Sequence, residues 1–207
     1  MKRLVIIGGG GHGKVVAESA ARTKQFSEIA FVDDAFPSVL TCGLWQVIGT
    51  TNELAKFVED SVFIVAIGNN GVRKKLQALV TSLGGEMTSI IDPTAVISDY
   101  ADIGKGTFIA PNAVVNIDST LAEGVIINTS ASVDHDCEIG PFVHIAPGCR
   151  LAGTVTVAEI SFLGIGTTVI PGVQIGSNTV IGAGSVVVRN VKSNVTCFGN
   201  PARVKSL

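Results

Sequence analysis

The sequence repeats with a period of six residues over about half of its length. Counting in sixes from Ile91 to Val187, all seventeen positions are aliphatic, and the residue four places after each is small or β-branched. No insertion breaks this register over residues 91–192. Such a hexapeptide repeat is typical of a parallel β-helix, in which short strands and turns stack into triangular coils. The repeat therefore predicts an all-β, left-handed parallel β-helix.

The two kinds of repeated position have different environments in such a fold. The aliphatic residues point inward and pack in columns, whereas the small residues lie at the corners, where space is scarce. Cys137 and Cys149 occupy small positions, so we predict that they are buried and are not metal ligands. The four cysteines, which also include Cys42 and Cys197, have no zinc-site spacing. A reduced, cytoplasmic chain is expected.

Residues 1–90 have a different pattern, in which short apolar strands alternate with helices. Strands are predicted at 4–8, 29–32 and 62–67, and helices at 13–22, 52–58 and 71–83. Alternation of this kind predicts a small, Rossmann-like parallel α/β sheet. The domain boundary is expected near Asp92-Pro93, which gives an N-terminal domain at 1–90, a β-helix at 91–192 and a C-terminal tail at 193–207.

Charge and hydropathy exclude several classes of function. The chain has 15 basic and 17 acidic residues, a net charge of −2, and no long basic run, so nucleic acid is not an expected partner. No stretch approaches the ~18 apolar residues of a membrane helix. The apolar start at residues 4–7 is followed by four glycines, so we expect no signal peptide.

A glycine-rich loop follows the first predicted strand. Residues 8–13 match G-x-G-x-x-G, and Asp33 comes directly after the next predicted strand. Backbone N–H groups and a helix N-terminus in this position bind phosphate oxygens. Because residues 1–90 lack room for the second half of a dinucleotide fold, one nucleotide diphosphate fits better than NAD. The alternative is a glycine turn required only for packing.

A second loop, residues 67–73, closes the third predicted strand. Asn69, Asn70 and Arg73 could line the same crevice, because open α/β sheets bind ligands at the carboxyl ends of their strands. The alternative has equal weight: Asn and Gly are common turn residues, and Arg73 could begin a solvated basic face with Lys74 and Lys75.

Two of the three histidines, His135 and His144, lie in the repeats at positions other than the aliphatic one, so we expect both outside the β-helix. Asp134 and Asp136 flank His135. A carboxylate bound to one ring nitrogen fixes the tautomer and raises the basicity of the other nitrogen, which suits a general base. The alternative is that both aspartates are solvated turn residues. A three-histidine zinc site would require distant His12, so no metal is expected.

These motifs carry a resemblance to known proteins. The hexapeptides, the segment 128–137 and the segment 199–203 resemble the hexapeptide-repeat acyltransferases. With the two loops and Val32-Asp33-Asp34, the whole chain resembles the sialic acid O-acetyltransferase and nucleotide-amino-sugar N-acetyltransferase family, above all its bacillosamine-pathway members. The resemblance implies a homotrimer with acetyl-CoA between neighbouring β-helices. It also implies that the N-terminal domain binds a UDP-linked 4-amino-4,6-dideoxy sugar.

The resemblance also assigns residues. It makes His135 the general base, with Asp136 at a position where relatives commonly have Glu, and it places Asn128 near the acceptor. Residues implied to contact acetyl-CoA are His144, Ile165, Ala183, Gly199 and Pro201. Residues implied to bind the sugar nucleotide are Gly8, Gly10, Gly11, His12, Gly13, Asp33, Asp34, Asn69, Asn70 and Arg73.

Three alternative functions remain open from the sequence. The same base could direct O-acetylation of a sialic acid or related sugar. A non-catalytic sugar-nucleotide sensor would use the β-helix only for assembly. An NAD-dependent oxidoreductase has the glycine loop alone in its favour.

Overall fold

The computed structural model describes residues 1–205. The chain forms two compact units, one at Met1–Pro93 and the other from Thr94 onward. Ser206 and Leu207, the end of the predicted C-terminal tail, lie outside the described residues. No helix among the described residues combines the length and apolar character needed to cross a membrane.

The first unit is a Rossmann-like α/β fold. Its helices are α1 (Gly11–Thr23), a 3₁₀ helix (Thr51–Phe57) and α2 (Asn70–Ser82). Its strands are β1 (Arg3–Ile7), β2 (Ile29–Val32), β3 (Thr41–Cys42), β4 (Trp45–Gly49), β5 (Ser61–Val65), β6 (Glu86–Met87) and β7 (Ile90–Ile91).

Six of these strands form one sheet in the order β3-β4-β2-β1-β5-β6. Strand β1 lies at the centre and pairs in parallel with β2 and β5, so that Val5 is opposite Ala30 and Phe63. All three of these residues are fully buried. The small Rossmann-like sheet is therefore confirmed, but it is mixed and not purely parallel, because β3 pairs antiparallel with β4. The sequence did not predict β3, β4 or β6. Two of these strands have only two residues, too few to show a periodic pattern.

The second unit is the β-helix, and its sixteen regular strands each have two residues. They are β8 (Val96–Ile97), β9 (Asp102–Ile103), β10 (Phe108–Ile109), β11 (Val114–Val115), β12 (Thr120–Leu121), β13 (Ile126–Ile127), β14 (Ser132–Val133), β15 (Glu138–Ile139), β16 (His144–Ile145), β17 (Arg150–Leu151), β18 (Thr156–Val157), β19 (Phe162–Leu163), β20 (Thr168–Val169), β21 (Gln174–Ile175), β22 (Val180–Ile181) and β23 (Val186–Val187). Two strands follow, β24 (Thr196–Phe198) and β25 (Arg203–Val204).

The strands stack in parallel on three faces. Strand β11 pairs with β14, and β14 with β17, so Val115, Val133 and Leu151 lie above one another. One coil is therefore made of three hexapeptides. The aliphatic positions from Ile109 to Val187 are buried, as predicted. Ile97 and Ile103 are only partly buried because β8 and β9 are the first strands of their faces and are covered on one side.

The small corner residues also make hydrogen bonds between coils. The Cys137 thiol donates to the Ala152 carbonyl at 3.3 Å, and the Cys149 thiol to the Gly164 carbonyl at 3.1 Å. Both cysteines are fully buried, which confirms their predicted burial, and this burial raises the pKa of each thiol. They are corner residues that satisfy the backbone of the next coil.

A turn residue recurs at every sixth position with a left-handed backbone. From residue 106 to residue 184, φ at these positions lies between +52° and +72°. Glycine accepts this conformation most readily, and Asn and Asp follow. Asp136 occupies one of these positions, with φ +57°. The fold itself therefore sets the backbone direction immediately after His135.

Candidate active site

His135 lies on the turn that follows β14, with 53% of its side chain exposed. Its Nδ1 is 2.7 Å from Asp136 Oδ2. In the neutral ring, Nδ1–H donates to this carboxylate and Nε2 carries the lone pair. The hydrogen bond to Asp136 is the main reason that the pKa of His135 is raised, and the charge of Asp134 adds to it. The arrangement is suited to accepting a proton at Nε2.

The backbone on either side of His135 is held by Asp134 and by the preceding coil. Asp134 Oδ1 accepts from His135 N at 2.9 Å and from Asn116 Nδ2 at 2.8 Å. The Asp134 carbonyl accepts from Ser119 Oγ at 2.6 Å. The turn is thus bound to the coil before it through both the side chain and the main chain of Asp134.

The His135 ring lies across Gly153, one coil later. A Cβ on Gly153 would be 2.4 Å from His135 Cε1 and 2.5 Å from Nε2. The following residue, Thr154, donates its N–H to the His135 carbonyl at 2.9 Å. The missing side chain at position 153 is therefore what gives the ring its place against the β-helix.

His144 lies in β16 and is only 8% exposed, so the expectation of a surface position is wrong for this residue. Its Nε2 is 3.1 Å from Asn128 Nδ2, and its ring meets that of Phe162 edge to face, with centroids 5.1 Å apart. An amide N–H donates here, so Nε2 of His144 is the acceptor and its proton is on Nδ1. The structure pairs Asn128 with His144, on another face of the β-helix from His135.

The remaining residues expected to contact acetyl-CoA lie along the last coils. Ile165 is 61% exposed, and its carbonyl accepts from Gly184 N at 2.7 Å, which places Ala183 one coil above it. Gly199 N donates to Ser185 Oγ at 3.2 Å. Ala183, Gly199 and Pro201 are also exposed. This end of one corner is therefore accessible to a ligand.

The glycine loop of the first unit is built by close backbone approach. Gly8 has φ +109°, and a Cβ on Gly13 would be 2.1 Å from the Gly8 carbonyl oxygen. Only glycine fits at these two positions. By contrast, a Cβ on Gly10 or Gly11 would have no atom within 4 Å. Helix α1 begins at Gly11 without a side-chain cap, so no side chain in the described part of the chain satisfies the N–H groups at its N-terminus through a cap.

The two aspartates after β2 make local hydrogen bonds. Asp33 accepts from Gly9 N at 2.7 Å through Oδ2 and from Ala35 N at 2.9 Å through Oδ1. Asp34 Oδ1 accepts from both the N–H and the hydroxyl of Thr51, each at 2.8 Å. Both carboxylates therefore shape the loops around the carboxyl edge of the sheet, and their contact with a nucleotide stays a prediction.

The second loop separates residues that the sequence grouped together. Asn69 caps α2 by accepting from Val72 N at 3.0 Å. Arg73 is fully buried, so a solvated face is the wrong interpretation for this residue, although Lys74 and Lys75 are exposed. The Arg73 guanidinium donates to the Ile67 carbonyl and to Asn70 Oδ1, each at 2.9 Å. With no exposed atom, Arg73 holds this loop in place and does not line an open crevice.

Burial lowers the pKa of both His12 and Arg73. It is the main reason that the pKa of His12 falls to about 4, and the positive charge of Arg73 lowers it further. His12 is thus neutral at pH 7 and can serve a phosphate only as a hydrogen-bond donor. Burial lowers the pKa of Arg73 to about 10, which leaves it charged at pH 7.

Sequence reasoning missed Asn116, Ser119 and Gly153 around His135. Gly153 lies one full coil after His135, and Asn116 lies one full coil before Asp134. The spacing of 18 residues in the sequence therefore indicated these neighbours, because residues that are three hexapeptides apart stack on adjacent coils. Within residues 1–205, no three His, Cys, Asp or Glu side chains are grouped so as to hold a metal ion.

Comparison with known proteins adds to this geometry. Residues 3–80 match the family described as PglD N-terminal domain, and residues 154–189 match the bacterial transferase hexapeptide family. A UDP-N-acetylbacillosamine N-acetyltransferase of Bacillus subtilis is 36% identical over 53% of this chain, and the match spans about half of that protein (51%).

Two solved structures match over nearly the whole chain. The acetyltransferase domain of PglB from Neisseria gonorrhoeae, in complex with acetyl coenzyme A, is 40% identical and has a TM-score of 0.96, with 99% of each chain covered. PerB from Caulobacter crescentus, in complex with CoA and GDP-perosamine, is 41% identical and has a TM-score of 0.93, with 100% of this chain and 98% of PerB covered.

Proposed function

Because this chain belongs to the family of hexapeptide-repeat sugar acetyltransferases with a PglD-type N-terminal domain, we propose that it acetylates a nucleotide-linked amino sugar. The acetyl group comes from acetyl-CoA, and the acceptor is the 4-amino group of a UDP-linked 4-amino-4,6-dideoxy sugar. No metal takes part in this proposal.

The reaction is direct transfer. The neutral amine attacks the thioester carbonyl, a C–N bond forms, and the C–S bond to CoA then breaks. His135 Nε2 accepts the proton that the amine loses, and the proton can later leave with the CoA thiolate. A positioned amine is sufficient as a nucleophile, so no acyl-enzyme on Ser or Cys is needed.

One observation carries this proposal, namely the orientation of His135. Its Nδ1 is bound to Asp136 at 2.7 Å, which leaves the basic lone pair on Nε2, and the side chain as a whole remains half exposed. Asp136 has a shorter side chain than Glu, yet from its left-handed turn position it reaches the ring. Asp136 makes this contact although it is an exposed turn residue, with 55% of its side chain accessible.

The nucleotide of the acceptor has two candidates. The Bacillus subtilis relative is named for a UDP-linked sugar, whereas the PerB complex contains GDP-perosamine. The PerB match covers the whole chain, which makes a GDP-linked amino sugar the second candidate acceptor. We retain UDP as the first choice from the bacillosamine resemblance and assign the sugar nucleotide to the edge of the first unit formed by the glycine loop and Asp33.

We further propose that acetyl-CoA lies along the corner with Ile165 and Ala183, near His144, Gly199 and Pro201. His135 and His144 lie on different faces of one β-helix, so an active site shared between neighbouring copies of a homotrimer would bring such faces together. A cytoplasmic location remains a prediction that rests on four reduced cysteines.

The experiment is a thiol-release assay with acetyl-CoA and a UDP-4-amino-4,6-dideoxy-N-acetylhexosamine, with GDP-perosamine in parallel. We expect CoA release with the UDP sugar and a loss of about 10² to 10⁴ in turnover for His135→Ala. Ile117→Ala is the matched control, because Ile117 is exposed and lies one coil before His135. Faster CoA release with GDP-perosamine would make the GDP-linked sugar the acceptor in place of the UDP-linked sugar. Unchanged turnover in His135→Ala would refute the role of His135 as the general base.

A further inference from the structure

A polar pair occupies a position of the β-helix that is apolar in the later coils. The residue directly after β11, β14, β17 and β20 is Asn116, Asp134, Ala152 and Ile170, respectively. The later coils thus need no polar side chain here, and the fold accepts residues as different as Ala and Ile. The fold alone therefore does not explain why Asn116 and Asp134, on the coils around His135, are polar.

The contacts of the pair converge on the turn of His135. Asp134 Oδ1 accepts two hydrogen bonds, from Asn116 Nδ2 at 2.8 Å and from His135 N at 2.9 Å. The bond from Asn116 is the main reason that the pKa of Asp134 is lowered below its ordinary value, and the carboxylate is ionised at neutral pH. A bond to an ionised acceptor is stronger than one between neutral groups.

We propose that Asn116, acting through Asp134, positions His135 so that the ring keeps its contact with Asp136 and presents Nε2 to the acceptor amine. This inference rests on the proposed role of His135 as the base. Neither Asn116 nor Asp134 touches the reacting atoms, so both are positioning residues.

The geometry explains how a backbone contact controls the ring. Asp136 holds Nδ1, and Gly153 provides the surface on which the ring lies. Both contacts depend on the position of the His135 backbone, and Asp134 Oδ1 fixes this position by accepting from the His135 N–H. If that N–H is released, the ring loses its register with Asp136 and the two neutral tautomers mix.

Charge and position can be separated experimentally. The charged groups that act on the His135 ring are Asp136 and Asp134, while the residues that contact its turn from the adjacent coils, Asn116, Ser119, Gly153 and Thr154, carry no charge. Asp134→Asn keeps an Oδ1 acceptor for the His135 N–H but removes the charge. Asp134→Ala removes both the acceptor and the charge, and Asn116→Leu removes only the side-chain donor to Asp134.

The test combines steady-state kinetics with ¹⁵N NMR of the histidine rings. The chain has three histidines, so His135→Gln identifies the His135 signals. We expect Asp134→Ala to lower kcat by about 10- to 100-fold, Asn116→Leu by about 3- to 10-fold, and KM for acetyl-CoA to stay within about twofold in each. Asp102→Ala, which removes a carboxylate elsewhere in the β-helix, should leave both readouts unchanged.

The NMR result decides the inference without requiring activity. Wild type and Asp134→Asn should show the Nδ1–H tautomer, with a lower His135 pKa in Asp134→Asn, whereas Asp134→Ala and Asn116→Leu should show mixed tautomers. Unchanged tautomers in those two variants overturn the positioning role, even if kcat falls. If the tautomers change but wild type acetylates no amino sugar, the positioning stands and the proposed function fails.

Discussion

Gly153→Ala is the sharpest test of how the His135 ring is seated. The new Cβ would be 2.4 Å from Cε1 and 2.5 Å from Nε2, whereas ordinary contact begins at 3.4 Å. The ring must therefore move by about 1 Å. Because a misplacement of about 1 Å can cost roughly 10²-fold in rate, we expect kcat to fall by about that factor.

The same substitution should leave the fold intact. The equivalent residues on other coils include Ile117, His135 and Pro171, so the β-helix accepts a Cβ at this corner. Gly153 does not require a left-handed backbone, and the half-exposed ring of His135 can swing aside. We therefore expect the Tm of Gly153→Ala to stay within about 2 °C of wild type, no more than the shift from losing about 1 kcal/mol of stability.

The assay is the release of CoA thiol, measured for wild type, each single variant and the double variant with His135→Ala. When the ring is absent, the new methyl group has nothing to displace, so Gly153→Ala should cause no further loss in the His135→Ala background. The reasoning is refuted if Gly153→Ala keeps wild-type kcat, or if it causes the same loss with and without the His135 ring.

Two further outcomes follow from the structure. His135 must be neutral to accept a proton, so kcat/KM should fall as pH falls through its raised pKa, which lies above about 6.5. Asp136→Asn should move this acidic fall in kcat/KM to lower pH, whereas Asp118→Asn, at the equivalent turn one coil earlier, should not. A pH profile of kcat/KM for each variant checks both expectations. Gly13→Ala should destabilise the first unit and abolish sugar-nucleotide binding, because its Cβ would lie 2.1 Å from the Gly8 carbonyl oxygen; wild-type binding by calorimetry would contradict this.

Residues that act through their neighbours along the chain could be predicted from the sequence. Asp136 follows His135 directly, and their contact requires only the local turn. The glycine loop is similar, because Gly8 and Gly13 meet within one βα unit. In both cases a few consecutive residues determine the geometry.

Burial of polar residues was harder to predict. Arg73 begins a run of basic residues that resembles an exposed helix face, but helix α2 turns it inward to the Ile67 carbonyl and Asn70. His144 occupies an outward position of β16, yet Asn128 and Phe162 cover it. Each outcome depends on which side chains surround the residue, and that information is not local.

The period of six by itself determined the β-helix, its inward aliphatic columns and its buried corner cysteines, because a strict repeat allows one way to stack coils and bury a continuous core. Only the tertiary structure decided that Asn116 holds Asp134 and that the His135 ring lies on Gly153. A spacing of three hexapeptides brings such residues to adjacent coils, but whether they touch depends on side-chain rotamers and hydrogen bonds, which form only when the coils are packed together.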